Sequence, residues 1–124
     1  MDPFLVRLKD SVTADGVISE EEVATLKGVL SKQGMNEETL SVLLAINTTL
    51  SGSKYPKSFE DLFVRSIFAY MLGTGNRIQD DRWAWLKENL LKDGVIDALE
   101  RRLLLMIKQQ SRQYPPELDE LLSR

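Results

Sequence analysis

The sequence contains no cysteine and no histidine among its 124 residues. Without cysteine there is no disulfide framework and no thiol nucleophile, and without either residue there is no Cys/His zinc site. The absence of histidine also removes the side chain that most often serves as a catalytic acid or base near neutral pH. The remaining carboxylates, lysines, tyrosines and hydroxyls form no converging set, so we expect a protein that is not an enzyme.

Positive charge is in slight deficit, since the chain has 16 lysines and arginines and 19 acidic residues, which gives a net charge of −3. That sign is wrong for a protein whose affinity depends on neutralising phosphates, so nucleic acid is not an expected partner. Hydrophobic residues make up 43% and charged residues 28%, as in ordinary globular proteins. A chain of this length has room for one domain, which we place over residues 1–124.

Long apolar runs are missing as well. The purest run extends from Leu103 to Ile107, far short of the ~18 residues that span a bilayer. The start, Met1-Asp2-Pro3-Phe4, lacks the basic region and the apolar stretch of a secretory signal. We therefore expect no transmembrane segment and a cytoplasmic location.

What the sequence does contain is helical periodicity, with apolar residues recurring at spacings of three and four. Ser19 with Glu22 and Asp97 with Glu100 have the spacing of capping boxes, which mark helix starts. Asn36 and Ser58 are further candidate caps, and a short last helix is predicted from Glu117 to Leu122. The fold class predicted is all-α, a single-domain bundle of six or seven short helices with no sheet beyond a two-residue bridge.

Three unbroken apolar blocks lie within the predicted helices, at Val42 to Ile46, Ile67 to Leu72 and Leu103 to Ile107. A helix that is apolar on all sides is usually a buried helix. We expect these three helices to lie centrally, with the amphipathic ones around them.

The sequence also resembles itself at an offset of 60 residues. Residues 18 to 47 align with 78 to 107 with nine identities in thirty positions. The pattern predicts an internally duplicated core of two helical hairpins, with pseudo-repeats over residues 14–51 and 74–111. The alternative is that leucine-rich helices of similar length match by chance at the best of many offsets.

Two loops share the pattern Asp-Gly-Val-Ile-x-x-x-Glu, which is the second half of a calcium loop of the EF-hand type. Leu91 and Asn89 occupy early ligand positions of the second loop, and leucine cannot ligate, so we expect weak calcium binding or none. The alternative is that the same residues only cap helices and end them. The candidate ligands are Asp93, Asp97 and Glu100 in the second loop and Asp15, Ser19 and Glu22 in the first.

Ala14 to Ile18 followed by Glu22, and Asp93-Gly94 with Glu100, resemble the tellurite-resistance TerB-like proteins and related uncharacterised bacterial helical proteins. The segment Leu44 to Gly52, followed by Phe59 to Val64, is similar to one that recurs in that group. The resemblance covers roughly residues 14 to 112. It implies a cytoplasmic, non-catalytic helical bundle, with a divalent-cation site at the Asp loops in some members and with stress-linked or envelope-associated complexes.

Two tryptophans and a basic face are the candidate partner contacts. Trp83 continues an inward apolar stripe, whereas Trp85 takes the place of Thr25 in the other repeat and should be an exposed or half-exposed interface residue. The alternative is that Trp85 packs under the N- or C-terminal helix. Arg101 and Arg102 begin a basic helix face, which binds a partner or is simply solvated.

Together these patterns favour a non-enzymatic helical binding or adaptor module, TerB-like, that acts through protein–protein contacts. The expected partner is another protein, with a second copy of the chain as one option. The alternatives are a weak calcium sensor using the Asp-Gly loops, and a small phage or immunity-type inhibitor that works through its surface alone.

Overall fold

The structure, a computed structural model, describes residues 3–34, 36–50, 55–73, 75, 77–91 and 96–123. These residues form seven α-helices and no strand, apart from an isolated parallel bridge between Arg77 and Gln113. The predicted all-α class with six or seven short helices is therefore confirmed. No helix within these ranges is long and apolar enough to cross a bilayer. The helices are α1 Pro3–Asp15, α2 Glu20–Gln33, α3 Glu37–Leu50, α4 Lys57–Leu72, α5 Asp80–Leu90, α6 Ala98–Gln110 and α7 Glu117–Leu122.

Both predicted capping boxes are present. At the start of α2 the amide of Glu22 donates to Ser19 Oγ at 3.1 Å, and the amide of Ser19 donates to Glu22 Oε1 at 3.0 Å. At the start of α6 the same reciprocal pair joins Asp97 and Glu100 at 2.8 and 3.0 Å. Each box satisfies two backbone amides that have no partner inside the helix.

The prediction that Ser58 caps the fourth helix is wrong. The helix α4 already begins at Lys57, and the amide of Phe59 donates to the carbonyl of Pro56 at 3.0 Å. The fixed φ of proline suits a helix start, so Pro56 begins the turn ahead of Ser58.

The chain divides into two compact units, Met1–Phe63 and Val64–Arg124. Unit 1 contains α1 to α3 and the first part of α4, and unit 2 contains the rest of α4 with α5 to α7. One domain over residues 1–124 stays a prediction.

The core of unit 1 forms where α1 packs on α3. Leu5, Leu8 and Val12 form the buried stripe of α1, at the spacing of three and four that keeps one face inward. In the predicted block Val42 to Ile46, every residue but the half-buried Ala45 is buried. The expectation of a helix covered on nearly all sides is thus confirmed for α3.

In unit 2 the helix α6 packs against α7, and its buried residues include Leu103, Leu104 and Ile107. The expectation that the whole apolar block is buried is wrong here, because Leu105 is 43% exposed. The block of α4 behaves similarly, since Ala69 is exposed. An apolar run allows burial on every side, but these helices are covered on one face only.

The predicted duplication is supported by the helix bounds and by burial. The first residues of α2 and α5, Glu20 and Asp80, lie 60 positions apart, as do the last residues of α3 and α6, Leu50 and Gln110. Superposition of the two hairpins stays a prediction. Nine aligned pairs are buried in both copies: Ile18/Ile78, Val23/Trp83, Leu26/Leu86, Leu30/Leu90, Thr39/Leu99, Leu40/Glu100, Leu43/Leu103, Leu44/Leu104 and Asn47/Ile107.

The repeat extends beyond the hairpins at an offset of 59. The buried stripe of α1 aligns with Val64, Ile67 and Met71 in the second part of α4. Gly16 and Gly75, which follow these two segments, both have positive φ, at 71° and 88°, a conformation that glycine adopts without steric cost. One residue separates Gly16 from Ile18, whereas two residues separate Gly75 from Ile78. This extra residue changes the offset from 59 to 60.

The same offset relates the starts of α4 and α7. The pair Tyr55-Pro56 precedes α4 and Tyr114-Pro115 precedes α7. In both, the proline carbonyl accepts the amide three residues on at 3.0 Å, from Phe59 in unit 1 and from Leu118 in unit 2. Each unit is therefore one copy of a repeat longer than the predicted hairpin.

Candidate functional site

The candidate calcium loops carry carboxylates that already serve the helix starts. Glu22 and Glu100 each accept a backbone amide within a capping box, and Glu100 is 2% exposed. Asp15 is exposed at the end of α1, while Asp93 lies outside the described residues. Within the described ranges no group of three or more acidic side chains is placed to hold a metal ion. Calcium binding by these loops stays a prediction, and the caps are observed.

The two tryptophans have the different surroundings that the repeat predicts. Trp83 is buried at 4% exposure, whereas Trp85 is half-buried on the other side of α5. The ring of Trp85 meets the ring of Tyr70 edge to face, with centroids 5.4 Å apart and planes at 75°. This is a favourable arrangement for two aromatic quadrupoles.

Arg82 completes this cluster and was not singled out by the sequence. Its guanidinium donates a hydrogen bond to the backbone carbonyl of Tyr70, in the last turn of α4. The same group lies over the Tyr70 ring, 4.4 Å from the centroid. A cation at a helix C-terminus and over an aromatic face is stabilised by both. The two residues lie twelve positions apart, so no local sequence pattern signals the contact.

The predicted partner contacts on α6 differ in their exposure. Arg101 is half-buried, and its Nη1 donates to the carbonyl of Leu122 at 2.6 Å, at the end of α7. Arg102 is exposed. Arg101 therefore has a structural role in holding α7, whatever else it contacts.

Two ion pairs also attach α7 to its neighbours. Lys87 Nζ lies 2.9 Å from Glu117 Oε2, and Lys108 Nζ lies 2.7 Å from Asp119 Oδ1. The hydrogen bond from Lys87 lowers the pKa of Glu117, and the hydrogen bond to Asp119 raises the pKa of Lys108. Both pairs are exposed, so solvent and salt screen them.

In unit 1 a groove of about 400 Å³ lies between α1 and α2, called below the α1–α2 groove. Leu8 is buried at its floor and Phe4 is half-buried beside it. Arg7 lines the groove from α1 and Glu21 from α2, so its two walls carry opposite charges. The lining residues are Phe4, Arg7, Leu8, Glu21, Glu22 and Thr25.

The repeat relates the α1–α2 groove to the aromatic cluster of unit 2. Thr25, which lines the groove, aligns with Trp85 at the offset of 60. Ser11, one turn beyond Arg7 on α1, aligns with Tyr70 at the offset of 59. Unit 2 therefore places two contacting aromatic rings where unit 1 has two small hydroxyl side chains.

Comparison with family models, with curated proteins and with solved structures finds no significant match. The resemblance to TerB-like proteins stays a prediction.

Proposed function

We infer that the protein is a non-enzymatic binding module that acts through contacts with another protein, and that the α1–α2 groove is its main contact surface. The observation that supports this is the open groove in unit 1, whose lining residue Thr25 stands at the repeat position that Trp85 of the aromatic pair occupies in unit 2. The aromatic ring at this position of unit 2 thus suggests that the groove of unit 1 can accommodate an aromatic side chain.

The groove suits an aromatic side chain presented by a partner. Phe4 and Leu8 offer apolar surface for the ring, and the buried state of Leu8 places that surface below the rims. Aromatic anchors in such pockets carry most of the binding energy in many interfaces. Arg7 and Glu21 on the opposite walls would pair with charges that flank the anchor, which adds specificity more than affinity.

In unit 2, Trp85 and Arg102 remain the proposed secondary contacts. Trp85 is half-buried and Arg102 is exposed, so each presents side-chain surface at the outside of unit 2. Arg101 is half-buried, and its guanidinium donates a hydrogen bond to the carbonyl of Leu122.

The test is an NMR titration of the protein with N-acetyl-L-tryptophanamide, an uncharged mimic of a tryptophan side chain in a chain. We expect binding on the order of 1 mM, as for a small ligand, with amide shifts concentrated at Phe4, Leu8 and Thr25. Thr25→Trp should abolish these shifts because the new indole fills the groove.

The matched control is Ala24→Trp, which adds the same indole at the neighbouring exposed position of α2 and should leave the titration unchanged. Shifts scattered over both units, or equal loss in the two variants, would overturn the assignment of the groove.

A further inference from the structure

A second cleft lies in unit 2, between the segment that precedes α5 and the segment that joins α6 to α7. It measures about 490 Å³. The amide of Ile78 donates to the carbonyl of Gln113 at 3.2 Å, next to the bridge between Arg77 and Gln113. These backbone contacts hold the two walls of the cleft side by side.

Two arginines, Arg77 and Arg112, line the cleft from opposite segments, and Asp80 is the acid among its lining residues. Both arginines are exposed, and within the described residues no ion pair or hydrogen bond of either guanidinium is found. By contrast, Arg82 and Arg101 in the same unit bind the carbonyls of Tyr70 and Leu122. Among the described residues, the two guanidinium groups of the cleft therefore have no partner, in a chain of net charge −3.

Comparison with the other repeat shows which lining residues of the cleft recur. Ile78 aligns with Ile18, and Tyr114-Pro115 aligns with Tyr55-Pro56. The charge of Arg77 does not recur, since Arg77 aligns with Val17, which is 56% exposed. A position that is exposed in both copies is not needed for packing, so the fold does not account for the arginine at position 77.

We propose that this cleft, called below the arginine cleft, binds an acidic segment of a partner protein. Guanidinium groups bind carboxylates through paired, charge-assisted hydrogen bonds, and two of them on opposite walls suit two acids of one segment. The volume is in the range of pockets that hold ligands of several groups, and Ile78 with the half-buried Tyr114 and Pro115 gives apolar surface for side-chain stems. Asp80 repels an acidic ligand and limits its affinity.

This inference rests on the proposed function for the nature of its occupant, a protein, but uses a different surface. Because the α1–α2 groove and the arginine cleft belong to different units, Thr25→Trp should leave binding at the cleft unchanged. Failure at one surface can therefore be told apart from failure at the other.

The experiment is an isothermal titration of the whole chain with hexaglutamate, blocked at both ends, in low salt. Arg77→Gln and Arg112→Gln should each weaken binding by about fivefold, the size expected from one exposed ion pair. Asp80→Asn should strengthen binding by about twofold to fivefold because it removes a repulsion. All three positions are exposed, so the variants should fold, which circular dichroism checks.

The matched control is Arg65→Gln, which removes the same charge from an exposed position on α4 outside the cleft. If it weakens binding as much as the cleft variants do, or if hexaglutamate does not bind at millimolar concentration, the proposal is wrong. A parallel titration with inorganic phosphate should give weaker binding than the peptide. Equal or tighter phosphate binding would instead make the cleft a site for a free anion and would also overturn the proposal.

Discussion

Trp83 and Trp85 stand two residues apart on α5, yet one is 4% exposed and the other is half-buried against Tyr70. The difference follows from the helical turn, because residues two apart lie on different faces. The repeat identifies the inward one, since Trp83 aligns with the buried Val23. Substitution of Trp83 and of Trp85 should therefore change the free energy of unfolding by very different amounts.

Truncation of the two tryptophans measures this difference. Trp83→Ala should lower the free energy of unfolding by about 3–5 kcal/mol, as for an emptied core site. Trp85→Ala should lower it by about 1–2 kcal/mol, since it loses an edge-to-face pair and partial burial. Denaturant unfolding of both variants provides the comparison. Equal losses, or the reverse order, would contradict the placement of the two rings.

Gly73 is a second residue with a specific demand. Its φ is +52°, and a Cβ at this position would lie 2.8 Å from Nη1 of Arg82. Gly73→Ala should destabilise the protein by about 1–2 kcal/mol, because it combines an unfavourable φ with displacement of the arginine from Tyr70.

Gly28 is the matched control for that substitution. It lies within α2 with open space where a Cβ would be, so Gly28→Ala should stabilise the protein by about 0.5–1 kcal/mol through helix propensity. Thermal unfolding of the two variants should give shifts of opposite sign. A shift of the same sign in both would contradict the geometry at Gly73.

At the scale of elements, α7 is a helix of six residues that depends on its attachments. Its own side chains Leu118 and Leu121 are buried. Lys87 and Lys108 form ion pairs with acidic side chains of α7, and Arg101 donates a hydrogen bond to the backbone of its last turn. So short a helix is not stable alone, so the packing and the cations keep it in place.

The pH dependence of α7 follows from the two shifted groups. The pKa of Glu117 lies below its ordinary value of 4.5, so its contribution to stability is present above that value and is lost as pH falls through the lowered pKa. The pKa of Lys108 lies above 10.5, so its contribution is present below that value and is lost as pH rises through the raised pKa. The protection factors of the α7 amides, which correct the exchange rates for their intrinsic pH dependence, should therefore be highest between these limits.

Glu117→Gln provides the check on the acid side. This variant should have lower protection factors in α7 than the wild type at neutral pH, and these should not fall further on acidification through the range below 4.5. An unchanged acid dependence in the variant would assign the effect to another carboxylate.

Prediction from the sequence succeeds where a signal is local. The capping boxes at Ser19 and Asp97 and the last helix from Glu117 involve residues within four positions of one another, and the structure has them as predicted. The Arg82 contact with Tyr70 spans twelve positions and depends on the turn between α4 and α5, which no local pattern encodes. Exposure of Leu105 depends on which face of α6 is covered, and this is a tertiary property as well.

At the scale of the molecule, the two units have the same order of helices and turns and matching buried positions. The matches begin with the pair Leu5 and Val64 and continue through the hairpins. Residue types differ at buried and at exposed positions; among the outward pairs, Thr25 aligns with Trp85 and Val17 aligns with Arg77. A fold that is shared between the two units can thus carry different contact residues on each.

We infer that the edge of the α1–α2 groove at Thr25 corresponds to the Tyr70–Trp85 cluster of unit 2 but lacks its two rings. The decisive measurement is a double-mutant cycle with Ser11→Tyr, Thr25→Trp and the combined variant, each followed by denaturant unfolding. If the two positions face each other as their counterparts do, the new rings should meet beside the groove and show a favourable coupling of about 0.5–1.5 kcal/mol. Additive effects, with no coupling beyond error, would show that unit 1 has no such site and would contradict the binding function built on it.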